Sequence, residues 1–276
     1  MKITSPARGR IGGDGVELAF GYWPGRGDAV VGIHGLSASH VNFVAVAERL
    51  RGRRPLFAVD LRGRGESDKP DGPYGMAQHA RDVAAAMREL ELPASVVIGH
   101  SMGAFVALSL AIEFPELVRR LVLVDGGVLP DAHHGDSLDA VLPTIARLQK
   151  TFPDREAYRA FWRSAGTFPE WNRWIDAYID YDLGPDLRPK PAERAIRADF
   201  ADLAAGVDAR PVRVPVTLAR AEQGVLPGSP PLLTENNVAR LRERLPHLEV
   251  TTIRDTTHFT IALGDPGASA LAELLW

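Results

Sequence analysis

The 276-residue chain has no cysteine. That absence removes disulfide cross-links, thiolate metal sites and a thiol nucleophile together. An excess of one charge is also missing: 32 Lys and Arg stand against 35 Asp and Glu, a formal net charge of −3. Such a chain has no overall basic field to gather nucleic acid or an anionic membrane, and neither is expected as a partner. No G-x-G-x-x-G run lies between a strand and a helix, and no Gly-Lys-Ser/Thr phosphate loop occurs. Dinucleotide and nucleoside-triphosphate sites are therefore not expected. One stretch comes near to an unbroken apolar run, residues 94–112, but Gly99, His100, Ser101 and Gly103 interrupt its middle. Its first half is β-branched and its second rich in Ala and Leu, which fits a buried strand and then a buried helix better than one lipid-facing helix. Residues 1–10 hold no apolar segment of the kind a secretory leader needs, so a soluble, cytoplasmic protein is expected.

What is present is ordinary in bulk, with 45% apolar and 24% charged residues, and the length suits one large α/β domain with an insertion or two small domains. Residues 8–33 read as three strands. The second alternates around Leu18 and Phe20, and the third, 29–33, ends at His34-Gly35-Leu36-Ser37. Helical spacing over 41–50, a strand over 55–60, a loop of turn formers and charges over 61–68 and a helix over 76–90 follow. A further buried strand, 121–124, ends at Asp125-Gly126-Gly127. Strands alternating with helices at this spacing imply a mainly parallel sheet covered on both faces. After the insertion come a strand at 214–219, a helix at 238–245, a strand at 248–253 and a terminal helix at 266–276. No internal repeat or low-complexity segment interrupts this order.

The most informative stretch is Ser95-Val96-Val97-Ile98-Gly99-His100-Ser101-Met102-Gly103-Ala104-Phe105. A β-branched strand drives into Gly-His-Ser-Met-Gly and a small-residue helix follows, the context that a G-x-S-x-G nucleophile elbow requires. The turn would hold Ser101 in a strained conformation, with Gly99 and Gly103 where a side chain would collide as strand and helix close together.

Between 129 and 207 the texture changes. Strand-like runs give way to four helical segments, about 137–151, 154–165, 169–182 and 191–206, separated by Pro153, Pro169 and the proline-rich stretch 184–191. Phe152, Tyr158, Phe161, Trp162, Phe168, Trp171, Trp174, Tyr178 and Tyr181 crowd here. They form either the insertion's own core or the wall of an apolar substrate pocket. Trp162, Trp171 and Trp174, with His34, are carried forward as substrate-contact candidates. His133-His134 lacks the further spacing that a metal site needs and reads as a solvated edge, so no metal is expected.

The chain resembles the α/β-hydrolases. The residues that carry the resemblance are His34-Gly35, the loop Asp60-Leu61-Arg62-Gly63-Arg64-Gly65-Glu66-Ser67-Asp68, the elbow around Ser101, and the late His258. It implies an eight-stranded, mostly parallel sheet with helices on both faces and an inserted helical cap. The core would span 1–129 and 207–276, and the cap 130–206. By the same resemblance Ser101 is the nucleophile, His258 the base, and the backbone N–H groups of Leu36 and Met102 the oxyanion donors. The acid is ambiguous. The commonest family pattern places an Asp after the seventh strand, and aligning Pro215 with the proline of that pattern puts Gly224 at the Asp position. Asp125, at the end of the sixth strand, is favoured; Glu222 is the alternative. Asp60, Arg62, Arg64 and Asp68 are expected to be structural, solvated or locally paired.

The expected activity is hydrolysis of a hydrophobic, medium-sized, small-molecule carboxylic ester or lactone through an acyl-enzyme, with no metal or organic cofactor. A carbon–carbon bond hydrolase or cofactor-free lyase, and a receptor-like binder with slow turnover, remain as alternatives. A serine nucleophile weighs against the Asp-nucleophile branches of the fold. Monomer and homodimer are both left open.

Overall fold

Every β-branched run singled out above lies in one sheet. The computed structural model describes residues 5–130, 145–205 and 210–276. Its strands are β1 (Ala7–Gly12), β2 (Glu17–Trp23), β3 (Val30–Ile33), β4 (Leu56–Val59), β5 (Ser95–His100), β6 (Val118–Val124), β7 (Val216–Ala221) and β8 (Glu249–Ile253). They stand in the order β1-β2-β4-β3-β5-β6-β7-β8. β1 and β2 pair antiparallel, as do β2 and β4; every other pairing is parallel. All residues of β3, β4 and β5 are buried. That is why their sequences read as unbroken apolar runs instead of alternating ones.

The crossover helices α1 (Val44–Leu50), α2 (Met76–Glu89) and α3 (Met102–Glu113) cover the two faces. On one face Phe43, Val44 and Leu50 pack with Ile261 and Leu271; on the other Val83, Met87, Phe105 and Leu108 fill the core. α3 is buried along nearly its whole length, the condition that an apolar helix without a polar face requires. It stops at Phe114, because Pro115 has no N–H to continue the ladder.

Three boundaries differ from the sequence reading. The helix expected over 41–50 opens as a 3-10 turn, His40–Phe43, before α1 begins. β7 starts at Val216: Pro215 offers only its carbonyl, which accepts from Leu121 N–H at 2.9 Å. A short helix, Thr260–Leu263, directly follows His258 and was not anticipated. Thr257 and Thr260 bond to each other across its start, each hydroxyl oxygen accepting from the other's backbone N–H (3.3 and 2.8 Å). The chain closes with the helix Asp265–Leu274.

Within the insertion the described helices are α4 (Arg155–Ser164), α5 (Arg173–Asp182) and α6 (Glu193–Ala205). α5 starts four residues later than expected because Asn172 caps it, its side chain accepting from Trp174 and Ile175 N–H at 2.9 and 3.1 Å. Most of the segment expected at 137–151, together with His133 and His134, lies outside the described residues. Among the described residues no helix is long and apolar enough to cross a membrane.

Candidate active site

β5 hands the chain to α3 through a single residue. Ser101 has φ +56° and ψ −121°, a region that a side chain makes costly and that only a surrounding structure can hold. Two hydrogen bonds hold it: Ser101 N–H donates to Val124 O at 2.9 Å and Ser101 O accepts from Ala104 N–H at 3.0 Å. The flanking glycines show how closely the backbones meet. A Cβ on Gly99 would lie 2.3 Å from Gly103 O, one on Gly103 2.0 Å from Ile33 O, and one on Gly126 2.3 Å from Ser101 O. Three chain segments converge where no side chain fits.

The neighbouring strand β6 ends at Val124, so the residue after it, Asp125, stands beside the elbow. Its carboxylate is buried and doubly used. Oδ2 lies 2.7 Å from His258 Nδ1, and Oδ1 accepts from Ala221 N–H at 3.2 Å. His258 itself is 7% exposed. Its backbone is tied from two sides: its N–H donates to Gly224 O at 2.9 Å, and its carbonyl accepts from His100 Nε2 at 2.9 Å. The second tie runs from the residue next to Ser101. His100 is thus an internal strut, its other nitrogen receiving the Asn42 amide at 3.3 Å. Burial, and then the adjoining His258, push the His100 pKa down to about 3, which keeps the ring neutral.

The alternative acid stands apart. Glu222 is exposed, and its Oε2 accepts from Asp255 N–H at 2.9 Å. A Cβ on Gly224 would lie 2.4 Å from Pro230 O and 2.6 Å from Ser229 Oγ, so that position has no room for a carboxylate.

The loop after β3 runs against the elbow. A Cβ on Gly35 would lie 3.1 Å from Ser101 Cβ and 3.6 Å from its Oγ. Leu36 follows on that loop. Met102 opens α3, so its N–H is one of the first-turn donors that the helix cannot satisfy internally.

Two of the substrate-contact candidates are fully buried. His34 is fully buried. Its Nδ1–H donates to Gly35 O at 2.8 Å and its Nε2 accepts from Leu61 N–H at 3.0 Å, so both nitrogens are spent inside the loop. Burial pushes its pKa down to about 3. Trp162 is likewise fully buried, ringed by Tyr158, Phe161, Phe168, Tyr178 and Phe259 at centroid distances of 5.7–6.4 Å. It is the centre of the insertion's own core. Trp174 is nearly buried and donates from Nε1 to Glu48 at 2.9 Å. Trp171, partly exposed, donates to Asp176 at 2.8 Å and stacks under Arg163.

The charged loop after β4 also differs from expectation. Of Asp60, Arg62, Arg64 and Asp68, only Asp68 is exposed, paired with Arg10 at 2.6 Å. Arg62 is buried and grips Asp82 through two bonds of 2.5 and 2.6 Å. Asp60 is fully buried and accepts from His40 N–H, His40 Nδ1, Glu66 N–H and the Tyr181 hydroxyl of α5, at 2.5–3.0 Å. Burial alone would raise its pKa; His40, His34 and Tyr181 outweigh that and hold it below the usual carboxylate range. Arg64 is fully buried as well. Apart from Glu66, these partners of Asp60 and Arg62 lie 20 or more positions away, beyond any local window of sequence.

The fold and the elbow define a class. A family model described as the alpha/beta hydrolase fold matches residues 28–170, and the chain belongs to that family. Among its relatives is the 2-(acetamidomethylene)succinate hydrolase of Mesorhizobium japonicum, 30% identical over 245 residues that cover 85% of this chain and 83% of that protein. A crystal structure of E-2-(acetamidomethylene)succinate hydrolase has a TM-score of 0.83 at 25% identity, covering 97% of this chain and 98% of the other. An uncharacterized Mycobacterium tuberculosis protein is 37% identical over 110 residues; the match covers 40% of this chain and only 32% of that relative's length. The N-formylmaleamate deformylase of Pseudomonas putida is 34% identical over 123 residues, 44% of this chain and 46% of the other.

Proposed function

We propose that this chain is a serine hydrolase that opens a small carboxylic ester or lactone through an acyl-enzyme. One observation carries the reading: a buried imidazole, His258, bonded at 2.7 Å to a buried carboxylate, Asp125, on loops tied to a strained serine turn. A serine hydroxyl is a poor nucleophile at neutral pH and needs an adjacent base. In the proposed cycle Ser101 Oγ attacks the carbonyl carbon while His258 Nε2 takes its proton. Asp125 keeps the other proton on Nδ1 and stabilises the imidazolium that forms. The N–H groups of Leu36 and Met102 receive the developing oxyanion. His258 then returns its proton to the departing alkoxide, leaving Ser101 acylated; in the second half it draws a proton from the attacking water and gives it to Ser101 Oγ as the acyl–Oγ bond breaks and the acid leaves.

A second reading, cleavage of an N-acyl bond by the same residues, is favoured by the relative at 30% identity over 245 residues, whose name specifies an acetamidomethylene-succinate as what it hydrolyses. A fluorophosphonate probe tests the shared chemistry. It is expected to label Ser101 in the native chain and nothing in Ser101→Ala; a peptide map placing the label elsewhere, or no label, would overturn it. Comparing p-nitrophenyl butyrate with the matching p-nitroanilide separates the two readings.

A further inference from the structure

The insertion reaches the loop after β3 through buried ion pairs. Two of its carboxylates, Asp182 at the end of α5 and Asp199 in α6, are buried and each pairs with a buried arginine. Both arginines reach the same short loop, the one after β3. Arg64 Nη2 pairs with Asp199 at 2.5 Å, while its Nε donates to Leu36 O at 2.9 Å and its Nη1 to Arg62 O at 3.0 Å. Arg64 Nη2 also lies 4.0 Å from Met102 Sδ, so one guanidinium borders both residues proposed to supply oxyanion donors. Arg147 Nη2 pairs with Asp182 at 2.9 Å and donates to Ser37 O at 3.2 Å. Its Nε donates to the Tyr158 hydroxyl at 2.9 Å, and its guanidinium lies 5.0 Å from the Trp162 ring centre. Asp199 is anchored in turn by Gly75 N–H at 2.6 Å and His79 Nε2 at 2.9 Å.

We propose that Arg64–Asp199 and Arg147–Asp182 are positioning pairs: they clamp the carbonyls of Leu36 and Ser37 and so hold the Leu36 N–H aimed at the oxyanion. The inference rests on the hydrolase reading above. The Leu36 N–H lies in the amide plane of Gly35 O, which His34 Nδ1 holds at 2.8 Å; the two arginines fix the two planes that follow, so the turn cannot pivot freely about Leu36. The turn is closed further by Ala38 N–H on Gly35 O at 3.2 Å. An oxyanion donor acts through being in place before charge develops, and a shift of about 1 Å is enough to lose about a hundredfold in rate. As devices for stability alone the pairs are poor choices, since a buried ion pair is often matched or exceeded by apolar packing of the same volume. What apolar packing cannot supply is directed donors on two carbonyls, and a guanidinium presents several in a fixed plane.

The test uses the rate at which a fluorophosphonate labels Ser101, which needs no known substrate. Asp199→Asn and Asp182→Asn should each label about tenfold to a hundredfold more slowly than the native chain. Each leaves an arginine buried against a neutral amide, at a cost to folding, so the decisive variant is Arg64→Met/Asp199→Asn. It carries no unpaired charge, and the amide oxygen introduced at position 199 still accepts from Gly75 N–H. It loses the donors to Leu36 O and Arg62 O but no charge is stranded, so it should melt closer to the native chain than Asp199→Asn does, yet keep the slow labelling. Its inhibition constant for phenylboronic acid, which forms an anionic tetrahedral adduct, should rise by the same factor, while KM for p-nitrophenyl butyrate stays within about threefold. Labelling that recovers together with melting would reduce the pair to a structural role and overturn the proposal. So would a change in KM with unchanged boronate affinity. A native chain that fails to label removes the hydrolase reading and this inference together; normal labelling in every variant removes this inference alone.

Discussion

Two buried histidines set how this protein should respond to acid. His34 and His100 are both enclosed near the elbow, and burial pushes both pKa values from 6.5 down to about 3. An unfolded histidine takes up a proton below about pH 6.5, whereas these folded rings refuse it until about pH 3. Throughout that window the unfolded chain holds more protons, so stability rises with pH; it is complete above 6.5 and drains away as the pH falls. Each ring contributes a tenfold change in the folding constant per pH unit, about 3 kcal/mol per unit for the pair. By pH 5 the loss is about 4 kcal/mol, a large fraction of the roughly 5–15 kcal/mol that holds a typical domain. His79, also lowered by burial, steepens the slope. The carboxyl of Asp199, which burial would raise but His79 and Arg64 hold at about 2, acts in the same direction only below its unfolded value of 3.8. It therefore leaves the range from about 6.5 to 4.5 to the histidines. Urea titrations at half-unit pH steps, read by the fluorescence of the buried tryptophans, give the slope directly. His100→Gln, which does not ionise, should remove about half of the two-ring slope. A folding free energy that is level from about pH 7 to 4.5, or a slope that the substitution does not change, would refute the reasoning.

On the proposed chemistry, Asp125→Asn should lower kcat on p-nitrophenyl butyrate by about 10⁴-fold, because the amide favours the wrong imidazole tautomer. Glu222→Gln should leave kcat within about twofold, since that carboxylate caps a turn at the surface. Gly103→Ala should destabilise the fold by about 3 kcal/mol or more, read from the urea midpoint, because the new methyl lies 2.0 Å from the carbonyl of Ile33 and only the backbone can yield.

How much of this was legible in advance divides by range. The strands and the elbow depend on local pattern: a β-branched run, a glycine on either side of Ser101, a proline where α3 stops. Residues within a dozen positions specify them, so a reading of the sequence finds them. The buried charges depend on partners from distant segments. Asp60 and Tyr181 are 121 positions apart, and Arg64 meets Asp199 only when the insertion folds onto the core. Read locally, Asp-Leu-Arg-Gly-Arg-Gly-Glu-Ser-Asp is a polar loop, and solvation is the natural inference; the structure puts three of its charged side chains, Asp60, Arg62 and Arg64, out of water. The aromatic residues of the insertion were ambiguous for a related reason. Composition cannot tell a core from a pocket wall, and for Trp162 only the ring of neighbours around it decides.

The carboxylate bonded to His258 comes from a different strand than the commonest family pattern would place it. In the commonest family pattern a carboxylate follows the seventh strand, and here that position is Gly224. It is not merely unfilled. Its carbonyl takes the His258 N–H at 2.9 Å, and any Cβ would lie against Pro230 and Ser229. The loop after β7 thus holds the histidine by its backbone, while the carboxylate arrives from β6, one strand closer to Ser101 in the order β5-β6-β7-β8. These roles exclude one another at a single residue, because a side chain at 224 would push away the backbone that His258 leans on. Moving the acid is therefore expected to fail. Asp125→Asn/Gly224→Asp should remain as slow as Asp125→Asn alone, about 10⁴-fold below the native chain. It should also lose about 1–3 kcal/mol in a urea titration from the forced contact with Pro230. If the double variant instead returned to within about tenfold of native kcat, the loop would be plastic enough to offer a carboxylate, and the claim that Gly224 is reserved for the histidine's backbone would fall.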